Sequence, residues 1–311
     1  MDIINGFDEI KKDTNTVVTI GTFDGLHIGH KRIIEKLKEK AGFYKGRSAV
    51  ITFNPHPRTV FNTTSPVGLL STPEEKAELF GGVGVDLMWV INFTKEFASL
   101  TSEEFVKGYL VEKLGVKEII IGHDHRFGKG RDGDEQKLKE IGQKYNFTVT
   151  SVEAVNAEGK VVSSSGVRAA LSAGDIRLAN LYLDRLYSLR GKVIVGEKRG
   201  RTLGFPTANI GHIGQYKLVP ANGVYAVKIK LPGGIYDGVI NIGKRPTFKD
   251  DELVIPEVNI FNFNSNIYGS DIEVRFVERL RGEVKFSSKE ELIAQINKDK
   301  EESLKILSVI N

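Results

Sequence analysis

A parallel, doubly wound α/β sheet followed by a small antiparallel β-barrel or sandwich with one terminal helix is the fold this sequence predicts. Two observations predict it. From residue 17 to about 155, short apolar runs rich in branched residues alternate with charged, helix-like segments. After about residue 186 the texture changes to strand-like runs and glycine-rich turns, and the chain closes on one capped amphipathic segment. A length of 311 residues suggests about two domains, and the change of texture puts them at 1–185 and 186–311.

In the first part, VVTIG (17–21), SAVITF (48–53), VDLMWVINF (85–93), KEIIIG (117–122) and FTVTSVEAV (147–155) read as strands covered on both faces. Between them lie four helical segments. In HKRIIEKLKEKAGF, Ile33, Ile34, Leu37 and Ala41 share one face, with lysines and glutamates opposite. In TPEEKAELFG, Thr72 and Glu75 form a capping pair around Pro73 at the first helical position, and Thr101 with Glu104 repeats the pair in TSEEFVKGYLVEKLG. DEQKLKEIGQKYN is the fourth. Strands alternating with helices imply a parallel sheet, and such sheets bind ligands at the carboxyl ends of their strands. Residues 161–185 read as helical and lead into the boundary. In the second part YAVKIKL alternates as a half-buried antiparallel strand, LPGG marks a tight turn, and SSKEELIAQINKDKEESLKIL is the closing helix.

Composition narrows the function. Hydrophobic residues at 40% and charged ones at 27% are ordinary globular values. The absence of cysteine excludes disulfides, thiolate nucleophiles and Cys-ligated zinc, and fits a reducing compartment. No apolar run approaches the roughly 20 residues of a membrane helix, and the N-terminal residues do not read as a signal peptide; a cytoplasmic protein is expected. A net charge of +4 is compatible with anionic substrates and makes a weak case for nucleic acid, so the expected partners are small molecules, with neither nucleic acid nor membrane. The expected state is a monomer or a weak homo-oligomer.

The stretch TFDGLHIGHK ends the first strand and opens the first helix. Unpaired N–H groups and a partial positive charge at a helix start suit an anion, and Gly21 and Gly25 permit a tight turn and close ligand approach. His27 and His30, three apart, project toward one place, where imidazoles can stabilise a phosphoryl-transfer transition state. On these residues alone, two surface histidines on a turn and a pair of metal ligands stay open, although no acidic third ligand lies nearby in sequence.

GTFDGLHIGH resembles the HxGH motif of the nucleotidylyltransferase superfamily. Class I aminoacyl-tRNA synthetases share a HIGH signature, but no KMSKS-type partner is found here. VITFNPHP (50–57), IGHDHRFGKGRDGD (121–134) and VSSSGVRAAL (162–171) are similar to blocks of the bacterial bifunctional riboflavin kinase/FMN adenylyltransferases, the FAD synthetase family, and the resemblance runs over nearly the whole chain. It implies a Rossmann-like nucleotidylyltransferase domain that makes FAD and pyrophosphate from FMN and ATP. It also implies site residues. Gly21, Thr22, Phe23 and Asp24 would meet ATP, as would Ser163, Ser164, Ser165 and Arg168, whose hydroxyls and guanidinium suit the departing pyrophosphate. Asn54, His56, Asp124, Arg126, Phe127 and Arg131, all after strand ends, would meet the flavin, with Phe127 able to stack on the ring. Taken singly, a solvated Arg168, a core Phe127 and a turn His56 are equally ordinary. His125 stands where the family commonly has Phe, and Ser163-Ser164-Ser165 replaces an SST-type triplet.

In the second part LGFPTANI (203–210) resembles the PTAN signature of riboflavin kinases, preceded by the basic, glycine-bearing loop GEKRGR (196–201). Gly196, Lys198, Gly200 and Arg201 suit a nucleotide polyphosphate. Thr207 and Asn209 offer hard oxygens suited to Mg²⁺, the one cofactor expected. The family pattern makes Glu257, in EVNIFNF, the base that takes the proton from the riboflavin 5′-hydroxyl; by itself it reads equally as a strand-end surface glutamate. Asn259 and Asn262 depart from the usual EVHIFDF. The implied activity is riboflavin to FMN, then FMN to FAD. A single-activity adenylyltransferase and a non-catalytic flavin or nucleic-acid binder are the alternatives.

Overall fold

The computed structural model describes residues 1–6, 10–62, 64, 66–196, 205–245, 253–254 and 256–310, with the main chain only at 131, 244–245 and 253–254. The chain divides into two compact units, Met1–Ser164 and Ser165–Asn311.

In the first unit the elements run β1 (Asp2–Asn5), β2 (Thr16–Ile20), α1 (Ile28–Phe43), β3 (Ser48–Asn54), α2 (Pro57–Phe61), α3 (Pro73–Gly82), β4 (Leu87–Asn92), α4 (Ser102–Phe105), β5 (Val116–Gly122), α5 (Glu135–Tyr145), β6 (Thr148–Val152) and a hairpin of β7 (Asn156–Ala157) and β8 (Lys160–Val161). The helix α4 runs on as a π-helix over Val106–Leu114. Six strands form one parallel sheet in the order β1-β4-β3-β2-β5-β6. The five expected strands are present; β1 is an addition. It is four residues at the sheet edge, largely exposed, and so has no buried run to announce it.

Successive residues of a strand face opposite sides of a sheet, and each side here has its own core. Val18, Ile51, Trp89 and Ile119 pack on one side with Phe105, Leu110 and Leu138. Val17, Val50, Met88 and Ile120 pack on the other with Ile34, Leu37 and Phe80 from α1 and α3. Both expected capping boxes form: Glu75 N–H donates to Thr72 Oγ1 at 3.2 Å while Glu75 Oε2 accepts from Thr72 N–H at 3.0 Å, and Thr101 with Glu104 does the same. The strand order reverses around β2, which lies between β3 and β5. The crevice beyond the carboxyl ends of β2 and β5 is therefore the place where a ligand is expected.

The second unit takes up α6 (Ser164–Ala173) from Ser165 on, with α7 (Ile176–Leu183), and continues as β9 (Tyr187–Ile194), β10 (Ala208–Gly211), β11 (Gly223–Leu231), β12 (Gly234–Ile242), the short pair β13 (Lys244–Arg245) and β14 (Leu253–Val254), β15 (Glu257–Ile260), β16 (Asp271–Arg281) and α8 (Lys289–Leu307). Six of these strands close a barrel in the order β10-β15-β12-β11-β16-β9, which settles barrel against sandwich. Tyr187, Leu189, Tyr225, Val227, Ile229, Ile240, Val274 and Phe276 are fully buried on its strands. Ala226, Phe261 and Val277 form a separate core with Leu307 of α8. The α7 helix is tied to the barrel through Asn180, whose Nδ2 donates to Phe276 O at 2.9 Å and whose Oδ1 accepts from Tyr187 N–H at 2.7 Å.

Candidate active sites

In the first unit the HxGH segment lies where the strand order reverses. His27 is the N-cap of α1: its Nδ1 accepts from His30 N–H at 3.3 Å. A neutral His27 ring whose Nδ1 accepts carries its proton on Nε2. The two imidazoles stack, with centroids 3.6 Å apart and planes 19° apart. Phe23 packs edge-on against His30 at 5.0 Å. His30 keeps part of its surface, yet its Nδ1 is enclosed and has no hydrogen-bond partner among the described residues. Enclosure first, then the neighbouring His27 and Lys76, push the His30 pKa well below the usual imidazole range, so the ring is neutral. Gly29 lets the pair form, because a Cβ there would lie 3.2 Å from the His27 ring.

The turn before the helix is strained. Phe23 and Leu26 have φ of 46° and 40°, and Gly25 has 83°. Segment 70–76 holds it. Asp24, 1% exposed, accepts at Oδ1 from the Leu70 and Ser71 N–H groups at 3.0 Å, and Ser71 Oγ accepts from Gly25 N–H at 3.1 Å. Lys76 Nζ donates to Thr22 O at 2.8 Å and to Thr52 Oγ1 at 3.2 Å. Ser164 Oγ donates to Asp24 O at 2.9 Å. The Asp24 carboxylate is thus engaged in holding the turn.

A cleft of about 270 Å³ opens above this turn, with Gly21, Thr22, His27, His30, Asp124 and Ser163 among its lining residues. Phe23 and Ser164 also line it, and so does His125. Ser165 and Arg168 stand on the first turns of α6, in the second unit.

The expected flavin residues lie at the carboxyl edge of the sheet. Asn54 ends β3 and is exposed, and His56 caps α2, its Nδ1 accepting from Arg58 N–H at 3.1 Å. Arg126 pairs with Asp134 at 2.8 Å, and Asp134 caps α5. The Asp124 side chain is largely exposed. Of Arg131 only the main chain is described. Phe127 belongs to a continuous aromatic row that the sequence reading missed. His125 stacks on Phe127 at 5.6 Å, Phe127 meets Phe105 at 6.3 Å, Phe105 meets Phe97 at 5.7 Å, and Phe97 meets Phe93, which touches Phe53 and the exposed Phe61. The available signal was that Phe53, Phe61, Phe93 and Phe97 all fall within a few residues of the ends of β3, α2 and β4.

In the barrel, Thr207 just before β10 and Glu257 at the start of β15 meet: Thr207 Oγ1 donates to Glu257 Oε2 at 3.4 Å. Asn209 sits directly opposite Glu257 across the β10–β15 pair, which brings all three to one face. Asn259 Nδ2 donates to Pro206 O at 2.8 Å and so ties the strand to the residue before Thr207. Asn209 is 5% exposed and lies against Gly196, where a Cβ would come within 1.8 Å of Asn209 Nδ2. A cavity of about 370 Å³ adjoins, lined by Pro206, Thr207, Val258, Phe263 and Tyr268 among others. Lys198, Gly200 and Arg201 lie outside the described residues.

Two family models match the chain, one described as FAD synthetase over residues 9–166 and one as riboflavin kinase over residues 183–307. Proteins named bifunctional riboflavin kinase/FMN adenylyltransferase from Listeria monocytogenes and Bacillus subtilis are 40% and 38% identical to it, over 94% and 96% of this chain and 92% and 94% of their own. A crystal structure from Streptococcus pneumoniae named as a macrolide-efflux protein is 31% identical, with a TM-score of 0.89 and coverage of 97% and 98%. That name speaks for the other protein. No helix among the described residues of this chain is long and apolar enough to cross a membrane.

Proposed function

The chain belongs to the bacterial bifunctional riboflavin kinase/FMN adenylyltransferase family, and on that premise we propose how its residues divide the two reactions. It phosphorylates riboflavin to FMN with ATP, then adenylylates FMN to FAD with loss of pyrophosphate.

Adenylyl transfer is assigned to the cleft above His27 and His30. An FMN phosphate oxygen attacks the α-phosphorus of ATP, and the bond to the pyrophosphate oxygen breaks. The nucleophile is already an anion, so the step requires no base; it requires donors where charge builds up. His27 Nε2–H, the His30 ring and the N-terminal N–H groups of α1 supply them. Gly21, Thr22, Phe23, Ser163 and Ser164 surround the nucleotide, and Asp24 acts by holding the turn. Ser165 and Arg168 are assigned to the ATP phosphates on the sequence alone, and so is Arg131 to the flavin. The aromatic row with Phe127, Asn54, His56, Asp124 and Arg126 at the sheet edge is the flavin surface, because a planar ring gains by stacking on such faces.

Kinase chemistry is assigned to the barrel. Glu257 takes the riboflavin 5′-hydroxyl proton as the oxygen attacks the γ-phosphorus and ADP leaves. The two activities belong to ATP-dependent families that generally use a divalent metal; we take it to be Mg²⁺. The Thr207 hydroxyl and Asn209 amide are hard oxygen donors that fit this ion, and the space left by Gly196 is what admits the amide. Bound there, the ion would neutralise negative charge on the ATP phosphates. Gly196, Lys198, Gly200 and Arg201 complete the phosphate loop on the sequence alone. We place the functional boundary at 185/186, after the first matched span, 9–166, and just inside the start of the second, 183–307. We take the protein to be cytoplasmic, monomeric or weakly self-associating, with no nucleic-acid partner.

The observation that carries this reading is that residues named for two reactions assemble as two separate groups: a stacked His27–His30 pair and a Thr207–Glu257–Asn209 set. Incubation of pure protein with riboflavin, ATP and Mg²⁺, with FMN and FAD resolved by chromatography over time, tests it. FMN should appear first and FAD after it. FAD formed only from added FMN would leave the barrel assignment without support.

A further inference from the structure

Lys76 is a cation in a place where a cation is expensive. It sits on α3, is 8% exposed, and its ammonium reaches only neutral acceptors among the bonds described above, the Thr22 carbonyl and Thr52 Oγ1. The carboxylate whose charge acts on it is Asp24, whose oxygens are already engaged with Leu70 and Ser71. Beside it on α3, Glu75 holds the Thr72 N–H, and on α1 His30 feels the Lys76 charge. Burial of an ammonium on such terms disfavours folding, and an apolar side chain of similar length would fill the space more cheaply.

What Lys76 does hold is the turn. Gly21–Leu26 carries two non-glycine residues in the left-handed region and sets the entry of α1, and with it both imidazoles. Strained turns persist only where their surroundings over-determine them. The Lys76 bond to Thr22 O is a hydrogen-bonded link between that turn and the α3 helix body, beside the edge-on packing of Phe23 against Phe80. It also leaves a full positive charge under a cleft whose reading is polyphosphate binding.

We propose that Lys76 is a positioning residue for adenylyl transfer: its ammonium fixes the Thr22 carbonyl, and with it the turn that carries His27 and His30, and stands as a positive charge beside them at neutral pH. This rests on the assignment of adenylyl transfer to that cleft. Burial pushes the Lys76 pKa down to about 8, against the opposing pull of Asp24, so the charge is present at neutral pH and is lost in mild alkali.

The test compares Lys76→Met, Lys76→Arg and His30→Ala in the full-length protein. FAD formation from FMN, FMN formation from riboflavin, and the His30 titration by NMR are the readouts. Lys76→Met should lower kcat for adenylylation about 10²-fold, the scale of a misplaced reacting geometry. It should spare riboflavin phosphorylation and move the His30 pKa upward. In the wild type, kcat/KM for adenylylation should fall as the pH rises through about 8; Lys76→Arg, whose charge does not titrate there, should recover rate and lose that fall. Wild-type adenylylation in Lys76→Met, or a rate loss with an unmoved His30 titration, overturns the proposal. If neither variant folds in its first unit, the wild-type profile decides, and a rate flat from pH 7 to 9.5 overturns it. His30→Ala separates the two levels. Full FAD formation in that variant removes the cleft assignment itself, whereas its loss beside an active Lys76→Met removes only the role of Lys76.

Discussion

The two units direct an oxygen nucleophile at a phosphorus of ATP, and they place their residues in opposite ways. In the sheet, the central groups lie within one turn and one helix start, from Gly21 to His30. In the barrel, Thr207 and Glu257 are brought together by strand pairing across 50 positions of sequence. The chemistry differs along the same line. A phosphate nucleophile is already ionised, and the site proposed for it offers imidazoles and helix N–H groups as donors. A hydroxyl nucleophile has a proton to lose, and the site proposed for it offers the Glu257 carboxylate. On these assignments, the protonation state of the nucleophile decides whether a phosphoryl-transfer site carries a base.

That contrast is sharpest at the base. Glu257→Gln keeps the shape and removes the basic oxygen, so riboflavin phosphorylation should slow by about 10²–10⁴ with little change in substrate affinity. Adenylylation of added FMN should be untouched, as steady-state kinetics on both substrates will show. On the other side, His30→Ala should slow FAD formation by about 10²–10³, some 2.7–4 kcal/mol, the loss expected for one preorganised donor. Gly29→Ala pushes a methyl against the His27 ring and should lower adenylylation by about tenfold, from the roughly 1–3 kcal/mol scale of overpacking. The kinase rate serves as the internal control.

Two smaller effects sharpen the comparison through stability. A neutral, enclosed His30 has its folded pKa below its unfolded one. As pH falls below about 6.5 the unfolded chain gains a proton that the folded ring refuses. The first unit should therefore lose stability through that range, and less of it in His30→Ala, as thermal unfolding against pH will show. The two helix caps make the last pair. Thr72→Ala and, at the N-cap of α8, where Ser288 Oγ accepts from Glu291 N–H at 3.2 Å, Ser288→Ala should each cost about 1 kcal/mol, read as a shift in denaturant midpoint. Only the first should also touch adenylylation, since Thr72 adjoins Ser71 and Lys76, which hold the turn.

How much was legible in the sequence follows the same division. Five sheet strands, four helices and both capping boxes were readable, because buried parallel strands and Thr-x-x-Glu caps are local patterns. The edge strand β1 was not, since four mostly exposed residues have no such pattern. HxGH placed His27 and His30 correctly at a strand-to-helix junction. The role of Asp24 as an anchor, and the presence of Lys76 beneath the turn, depend on segment 70–76 folding back over residues 22–25. No periodicity carries that contact. In the barrel the alternation of YAVKIKL showed strand β11, but only the register of β10 against β15 brings Asn209 opposite Glu257. Closure into a barrel rather than a sandwich likewise rests on which strands pair at the ends.

The central claim, two separable sites in one chain, is tested most directly by complementation. His30→Ala protein given riboflavin, ATP and Mg²⁺ should stop at FMN, and Glu257→Gln protein should make FAD only from added FMN. Mixed together, the two should convert riboflavin to FAD, with FMN rising first. Loss of both activities in either folded variant, or a mixture that makes FMN and no FAD, would contradict the account.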